Sequence, residues 1–218
     1  DADVLIDVPI TANAGGLISV QGASRLGEDV SILASSVDLL GAVDSQGGAR
    51  SLHVTSPGLI RFGSAIGQTG ALQNLLVDGG GATRITTLVN AADAKFMNAV
   101  DLTGNTLFTG GDVLFAGSLN SLTAGAFGAE FAGLGGVGTL NLSNGAGGSR
   151  SLAYLLSHVN SNVGGDVKTS GQQKYDKALN VTGPADFTAG GGFEVDGRTT
   201  LAGVTNVSAS SVLFGDLV

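Results

Sequence analysis

The sequence predicts an all-β parallel solenoid. Three observations carry this prediction: a high glycine content, short runs of alternating apolar and polar residues, and imperfect internal repeats. The chain has 218 residues, of which 37 are glycine and 43% are hydrophobic. A glycine share of about 17% is more than twice the average of roughly 7%. No Gly-X-Y period accompanies it, which excludes collagen, and the hydrophobic share is large enough for a packed core.

The composition leaves few side chains for catalysis or metal binding. The chain has no Cys, no Trp, two His and two Tyr, and 13% of its residues are charged. The lack of Cys excludes disulfides and thiolate metal sites. A net charge of −8 argues against nucleic acid as a partner, because phosphate backbones are bound by clustered Lys and Arg. We therefore predict a protein that is not an enzyme and has no cofactor, no metal site and no catalytic residues.

The sequence shows no sign of a membrane segment. No uninterrupted apolar run approaches the roughly 18 residues that a transmembrane helix requires. The first residues, Asp1 to Asp3, include two acidic side chains where a signal peptide has basic ones. We expect a segment that does not insert into membranes, and from which any export signal was removed or never included.

Alternation of apolar and polar residues predicts many short strands, since side chains in a strand point to opposite faces in turn. Glycine, Asn, Ser or Asp closes each run. Only 149–159 has helical spacing, through Leu152, Leu155, Leu156 and Val159, and its glycine flanks favour irregular strand or loop. The predicted strands are 5–10, 16–20, 29–33, 36–40, 51–54, 59–62, 72–77, 84–89, 99–102, 112–115, 139–142, 178–181, 192–195 and 211–214.

Internal repeats distinguish a solenoid from other all-β folds. Segment 95–110 is echoed at 174–189, with identical residues at Lys95/Lys174 and Gly104/Gly183 among others, and 47–52 is echoed at 147–152. The two echoes have different spacings, so the repeat unit is smaller than either and contains insertions. Short units with Gly-rich corners bury their apolar faces by stacking.

A coil of roughly 20–25 residues, the usual size for such repeats, gives on the order of nine to eleven coils. We predict one elongated solenoid over 1–218, with small inward residues such as Ala and Val, and with Gly, Asn and Asp at the corners. The alternative is a β-sandwich, or two small sandwiches divided near residues 90–98.

Several Gly-rich repeat segments have a sequence pattern found in a known group of proteins. These segments are 62–72, 107–119, 165–175, 178–182, 187–190 and 193–197. Their sequence resembles the repeats of filamentous-haemagglutinin-like giant repetitive bacterial exoproteins, and the resemblance covers most of the chain as a composition of Gly, Val and Leu. It implies a right-handed parallel β-helix, export by two-partner secretion or an autotransporter route, and a role as stalk, adhesin or matrix component. No secretion domain is recognised, so we expect an interior piece or a subunit that shares this composition.

Two motifs that could indicate a binding or catalytic site have simpler explanations. Residues 133–138 satisfy G-x-G-x-x-G, but a strand pattern at 139–142 follows where a dinucleotide site needs a helix. His53 and His158 each stand alone among apolar neighbours. We expect them to be hydrogen-bonded or outward-facing strand residues, since a triad needs a nucleophile and a carboxylate converging on one of them.

Two sets of acidic residues recur regularly. Asp1, Asp3 and Asp7 alternate along one strand, and a second set recurs at steps of ten residues, without an evident basic partner cluster or aromatic platform for sugars. We expect solvated outward positions, or loose Ca²⁺ contacts at coil corners. The members of the second set are Asp166, Asp176, Asp186 and Asp196.

Three N-x-[ST] sequons begin at Asn141, Asn180 and Asn206, each in a strand pattern. We expect outward polar positions that stack into a hydrogen-bonding ladder between coils; glycan attachment is the alternative. The threonines are scattered and form no regular TxT series, as at Thr86, Thr87, Thr199 and Thr200.

These observations predict a structural or adhesive segment of a secreted or cell-surface bacterial protein. A stiff rod would span distance and assemble end to end into a filament, with other surface or matrix components, including polysaccharide, as further partners. The alternative is a carbohydrate-binding or polysaccharide-degrading β-helix. The enzyme would carry an Asp/Arg/Lys cluster on one face, and the binding module a flat, regular ladder of Thr or aromatic residues.

Overall fold

A computed structural model describes residues 3–12, 15–134 and 137–217. In these ranges the backbone forms 26 strands and no α-helix, and no helix there has the length and hydropathy to cross a membrane. The strands are β1 (Val4–Ile6), β2 (Ile10–Thr11), β3 (Leu17–Val20), β4 (Ser24–Leu26), β5 (Val30–Leu33), β6 (Ser36–Leu39), β7 (Val43–Ser45), β8 (Ser51–Thr55), β9 (Ile60–Phe62), β10 (Leu72–Asp78), β11 (Thr83–Ile85), β12 (Leu88–Phe96), β13 (Val100–Leu102), β14 (Thr106–Phe115), β15 (Leu119–Ser121), β16 (Ala129–Gly133), β17 (Thr139–Leu142), β18 (Leu155–Ser157), β19 (Asn160–Val163), β20 (Val167–Thr169), β21 (Gln173–Tyr175), β22 (Leu179–Val181), β23 (Ala185–Ala189), β24 (Gly192–Leu201), β25 (Thr205–Ser208) and β26 (Ser211–Leu217).

The strands form a solenoid with three faces. The first face contains β2, β5, β8, β10, β17, β19 and β22, with the C-terminal halves of β12, β14 and β24. The second face contains β3, β6, β9, β11, β13 and β15, and then β20, β23 and β25. The third face contains β1, β4, β7, β16, β18 and β21, with the N-terminal halves of β12, β14, β24 and β26.

Parallel strands stack in about 10 turns. On the first face Leu52 pairs with Leu75, Leu75 with Ala94 and Ala94 with Val113. One coil therefore takes roughly 20 residues, as in other short solenoid repeats. The predicted β-solenoid is confirmed, and the β-sandwich alternative is wrong, because a sandwich is built from antiparallel sheets.

The core is a column of inward side chains that runs through the coils, and aromatic rings fill much of its C-terminal half. The prediction of small inward residues holds for Val and Ala positions such as Val54 and Ala94, but Leu and Phe are inward as well. Phe96 stacks on Phe115 with centroids 5.1 Å apart, within the range of favourable ring pairs. Phe108 stacks on Phe131 in the same way, while the other ring pairs of the core meet edge-on or tilted, so the narrow core holds the rings by both kinds of contact.

Two similar corner loops follow Gly67 and Gly147. Both glycines have a positive φ, +73° and +74°, which is a backbone conformation that residues with a Cβ rarely adopt. The Oδ1 atom of Asp44 accepts two backbone N–H groups of the first loop at 2.9 and 3.2 Å. Asn120 does the same for the second loop at 3.2 and 3.4 Å. An Asx side chain on the preceding coil thus fixes each loop.

The sequence echoes relate corners of the solenoid, not equivalent positions in a coil. Lys95 lies in the first-face half of β12, whereas Lys174 lies in β21 on the third face. Each segment continues around a corner into the next face. The echo therefore reflects the shared chemistry of strand, corner and strand.

Several predicted strand boundaries are wrong because a corner interrupts the run. The predicted strand 5–10 is divided into β1 and β2, with a corner before Pro9. The predicted strand 84–89 crosses from β11 on the second face to β12 on the third. Segment 149–159 contains β18 within irregular backbone, as favoured over a helix. The alternation of apolar and polar residues continues where the residues of a corner themselves alternate, so the sequence pattern does not show where the strand ends.

Candidate functional site

The third face carries a row of charged side chains over four successive coils. Glu130, Leu156, Lys174 and Glu194 are successive partners in the ladder, so their outward side chains lie one above another. Two residues further along each strand a second outward column runs beside the first. We name the six charged members the third-face network: Glu130, His158, Lys174, Asp176, Glu194 and Asp196.

Lys174 is the centre of this network. Its Nζ atom lies 3.1 Å from Glu194 Oε1, 3.2 Å from Asp196 Oδ2 and 3.6 Å from Asp176 Oδ1. Hydrogen bonds to Glu194 and then Asp196 raise the pKa of Lys174 above its usual range. The hydrogen bond from Lys174 in turn lowers the pKa of Asp196. Lys174 is thus held in its charged form, which suits ion pairing and opposes a role as a base.

His158 bridges two carboxylates on the coils before and after it. Its Nδ1 atom contacts Asp176, and its Nε2 atom lies 3.3 Å from Glu130 Oε1. An imidazolium can donate from both nitrogens, whereas a neutral ring donates from one. The expectation that His158 is hydrogen-bonded or outward-facing is confirmed, although it lies just after β18 and not within a strand.

The four aspartates that recur at steps of ten residues lie on two faces, because one coil of roughly 20 residues contains two such steps. Asp176 and Asp196 belong to the third-face network, while Asp166 and Asp186 lie beside the second face. The expectation that the series lacks a basic partner cluster is wrong for the third face, where Lys174 and His158 join it. In the described ranges no group of three or more His, Asp or Glu side chains has the arrangement of a metal site.

The first acidic set lies near the start of the solenoid. Asp3 pairs with Arg25 at 2.7 Å, an exposed ion pair between adjacent coils. Asp7 is exposed, and Asp1 lies outside the described residues.

His53 faces outward on the first face and makes a small polar cluster. Its Nε2 atom lies 3.0 Å from Asp78 Oδ2 and 3.1 Å from Thr55 Oγ1. A catalytic relay needs the nucleophile and the carboxylate on different ring nitrogens. Here both contacts use the same nitrogen, so the cluster is no triad, and the expected hydrogen-bonded outward histidine is confirmed.

Burial raises the pKa of Asp78, but hydrogen bonds from Thr55 and His53 outweigh burial and leave the pKa below its usual range. The ionised form of Asp78 is therefore the one that the fold favours.

An asparagine ladder runs along the first face. Asn162 donates to Asn141 Oδ1 at 2.8 Å, and Asn180 donates to Asn162 Oδ1 at 3.2 Å. These side chains border a shallow groove of about 320 Å³. The ladder predicted for the sequons is confirmed at Asn141 and Asn180, while Asn206 donates to Asp186 at 2.7 Å on the second face.

The glycine motif at 133–138 is followed by the strand β17, as expected, and not by a helix. Its residues 135 and 136 lie outside the described part of the chain. The arrangement lacks the helix N-terminus that a dinucleotide phosphate requires.

The second face carries a charged row that the sequence analysis missed. Asp38, Arg61, Arg84 and Asp101 are successive ladder partners in β6, β9, β11 and β13. Each is an outward residue between two inward ones, and we name these four residues the arginine row. Three of the four charges lie between two apolar residues in the sequence, and Arg84 lies between Thr83 and Ile85, but coils of unequal length hid their alignment.

The core ends in an apolar depression of about 180 Å³ at the last described coil. Phe193 and Phe214 contact each other there with centroids 5.6 Å apart. The lining residues are Leu179, Phe187, Phe193, Leu201, Thr205, Val207 and Phe214.

These features define the class of protein as a β-solenoid repeat protein with polar rows on its outer faces. A comparison with protein-family models, curated proteins and solved structures finds no match to the chain. The resemblance to haemagglutinin-like exoproteins therefore stays a prediction from the wording of the repeats.

Proposed function

We propose that this chain is a stiff, non-catalytic rod of a secreted or cell-surface bacterial protein, which spans distance and presents its faces for adhesion or assembly. The observation that carries this proposal is the parallel ladder, which continues through about 10 turns around one apolar core. At a strand spacing of about 4.8 Å, the rod is roughly 50 Å long. Its interstrand hydrogen bonds lie along the rod axis, so stretching the rod strains many bonds at once.

The charged groups on the surface support a structural function. Lys174 has three carboxylates within 4 Å, and its ion pairs with Glu194 and Asp196 link it to the next coil. Asn141, Asn162 and Asn180 link coils in the same way on the first face. Both rows strengthen the contact between coils, which is what a rod requires.

End-to-end assembly into a filament is the second part of the proposal. Within the described residues, β1 to β3 and β25 to β26 each have a neighbouring coil on one side only. Unpaired strand edges template pairing with another chain. Val4 and Leu5 on the first coil and Val212 and Leu213 on the last are exposed apolar residues. A head-to-tail contact of this kind is heterologous, and it generates an open filament when it does not close.

The resemblance to haemagglutinin-like exoproteins supports the location. On this proposal the partners are other copies of the chain and further surface or matrix components, among them polysaccharide.

Electron microscopy of the purified chain, with sedimentation of the same sample, tests the proposal. Long uniform fibres are expected, and Val212→Lys should abolish them by placing a charge on the last coil edge. Val137→Lys is the matched control, because Val137 is exposed on a loop away from both ends. Short rods at high concentration would contradict end-to-end assembly, and compact globules would contradict the rod itself.

A carbohydrate-binding or polysaccharide-degrading β-helix is the second candidate, and the third-face network is the observation that favours it. A depression of about 270 Å³ lies beside the network and is lined in part by Gln172, Lys174, Glu194 and Ser211. Release of reducing ends from soluble polysaccharides by the wild-type chain, abolished in Lys174→Met, would establish this function in place of the structural one.

A further inference from the structure

The two arginines of the arginine row are neighbours of like charge. Arg61 and Arg84 are direct partners in the ladder between β9 and β11. Parallel strands lie about 4.8 Å apart, so the two outward side chains leave the sheet at that spacing. Like charges directly opposite each other on a sheet destabilise it.

The carboxylates of the row do not compensate this pair fully. Asp38 Oδ1 lies 3.8 Å from Arg61 Nε, which is too long for a hydrogen bond. Asp101, the ladder partner of Arg84, is bound instead by Arg150, whose Nε atom also donates to Ser121 O at 2.9 Å. Arg84 has no carboxylate within 4 Å among the residues that the structure describes.

The hydrogen-bonding groups of Arg84 also lack acceptors. Its Nε atom is buried and has no hydrogen-bond partner in the described part of the chain. A guanidinium presents donors in a fixed planar fork that matches the oxygens of a carboxylate or sulfate group. The adjacent guanidinium groups of Arg61 and Arg84, of which that of Arg84 is unpaired, form a site for a carboxylate or sulfate group.

We propose that Arg61 and Arg84 bind a single oxyanion, a carboxylate or sulfate group, on the second face of the rod.

The order of charges along the row defines the size of the ligand. Asp38 precedes the two arginines and Asp101 follows them, each one coil away. One anionic group placed between the arginines is attracted. A second group one coil further along the rod meets the carboxylate of Asp38 on one side and Asp101, already paired with Arg150, on the other, so neither neighbouring coil of the row offers an unpaired cation. The site therefore selects isolated oxyanions and disfavours dense polyanions. It does not depend on end-to-end assembly.

Titration followed by NMR of the arginine Nε–Hε groups tests this site. Sodium glucuronate and sodium sulfate are added separately, with sodium chloride keeping the ionic strength constant. Saturable shifts of the Arg61 and Arg84 signals are expected in the millimolar range, and the two probes distinguish carboxylate from sulfate as the preferred group. Arg84→Gln should bind roughly tenfold more weakly or worse, as expected for loss of a charged hydrogen-bonding partner.

Arg25→Gln is the matched control, because Arg25 is an exposed arginine already paired with Asp3. Its titration should equal that of the wild type. Should Arg84→Gln fail to fold, Arg61→Gln provides the same comparison. Identical titrations in the wild type and the Arg84 or Arg61 variant would overturn the proposal, as would shifts that never saturate. Dextran sulfate that binds more tightly per sulfate group than inorganic sulfate would overturn the selection for a single anion.

Discussion

Phe108 stacks on Phe131 of the next coil, with ring centroids 4.9 Å apart and ring planes 13° apart. Phe115 contacts both rings edge-on at 5.4 and 6.0 Å from the first face. This cluster joins the third and first faces across the core. Phe131 contacts both other rings of this cluster, and its side chain is 1% exposed.

Phe131→Ala should destabilise the chain by about 3–5 kcal/mol, because it removes a buried ring and leaves a cavity. Urea denaturation followed by circular dichroism measures the loss. Leu134→Ala, three residues further along, is the control, because Leu134 is 69% exposed and its truncation should change stability by less than about 0.5 kcal/mol. Equal effects in the two variants would contradict the described core.

Adjacent glycines at one corner provide a second test. A Cβ on Gly147 would lie 2.0 Å from Lys168 O, and Gly147 has a φ of +74°. A Cβ on Gly148 would meet nothing within 4 Å. Gly147→Ala should therefore cost at least about 1–2 kcal/mol through backbone strain, with a further steric cost. Gly148→Ala should be close to neutral in the same thermal unfolding experiment. A reversed order would show that the corner has a different backbone.

The central residue of the asparagine ladder should matter more than an exposed asparagine. Asn162→Ala removes both ladder hydrogen bonds and leaves partly buried groups of Asn141 and Asn180 without a partner. We expect a loss of about 1–2 kcal/mol, measured by chemical denaturation. Asn74→Ala, which removes one exposed hydrogen bond to Ser51, should cost less. Equal losses would mean that the ladder contributes nothing beyond a surface contact.

The third-face network should stabilise the rod in a salt-dependent way. Lys174→Gln removes the cation shared by Glu194, Asp196 and Asp176, so the thermal midpoint should fall at low salt. The difference from wild type should shrink as salt screens the remaining repulsion. Lys168→Gln is the control, because Lys168 is exposed and has no ion pair in the described ranges. If Lys174→Gln and the wild type have the same thermal midpoint at every salt concentration, the third-face network does not stabilise the rod.

The sequence predicts the fold class well because the local signals repeat in every coil. Strand alternation and glycine corners recur throughout, and a narrow, apolar interior follows from them. The asparagine ladder was predictable because its members lie in similar strand patterns. The third-face network and the arginine row were not predictable, since coil length varies. Leu52 and Leu75 pair across a longer coil than Leu75 and Ala94, and each change of length shifts which outward residues meet.

Asp78 should give the chain an acid-sensitive contribution to stability. Its pKa is lower in the folded chain than the value of about 3.9 typical of an unfolded chain. A lowered folded-state pKa contributes stability that is fully present above the unfolded pKa and is lost as the pH falls through the folded pKa. Wild-type stability should therefore exceed that of Asp78→Asn above about pH 4, and the difference should narrow below it. Denaturation at a series of pH values between neutral and strongly acidic measures this difference.

His53 and Thr55 provide the hydrogen bonds that lower the pKa of Asp78, so Thr55→Val should reduce the same pH dependence of stability. A wild-type and Asp78→Asn difference that stays constant with pH would contradict the role of these bonds, because they stabilise the ionised carboxylate more than the protonated one.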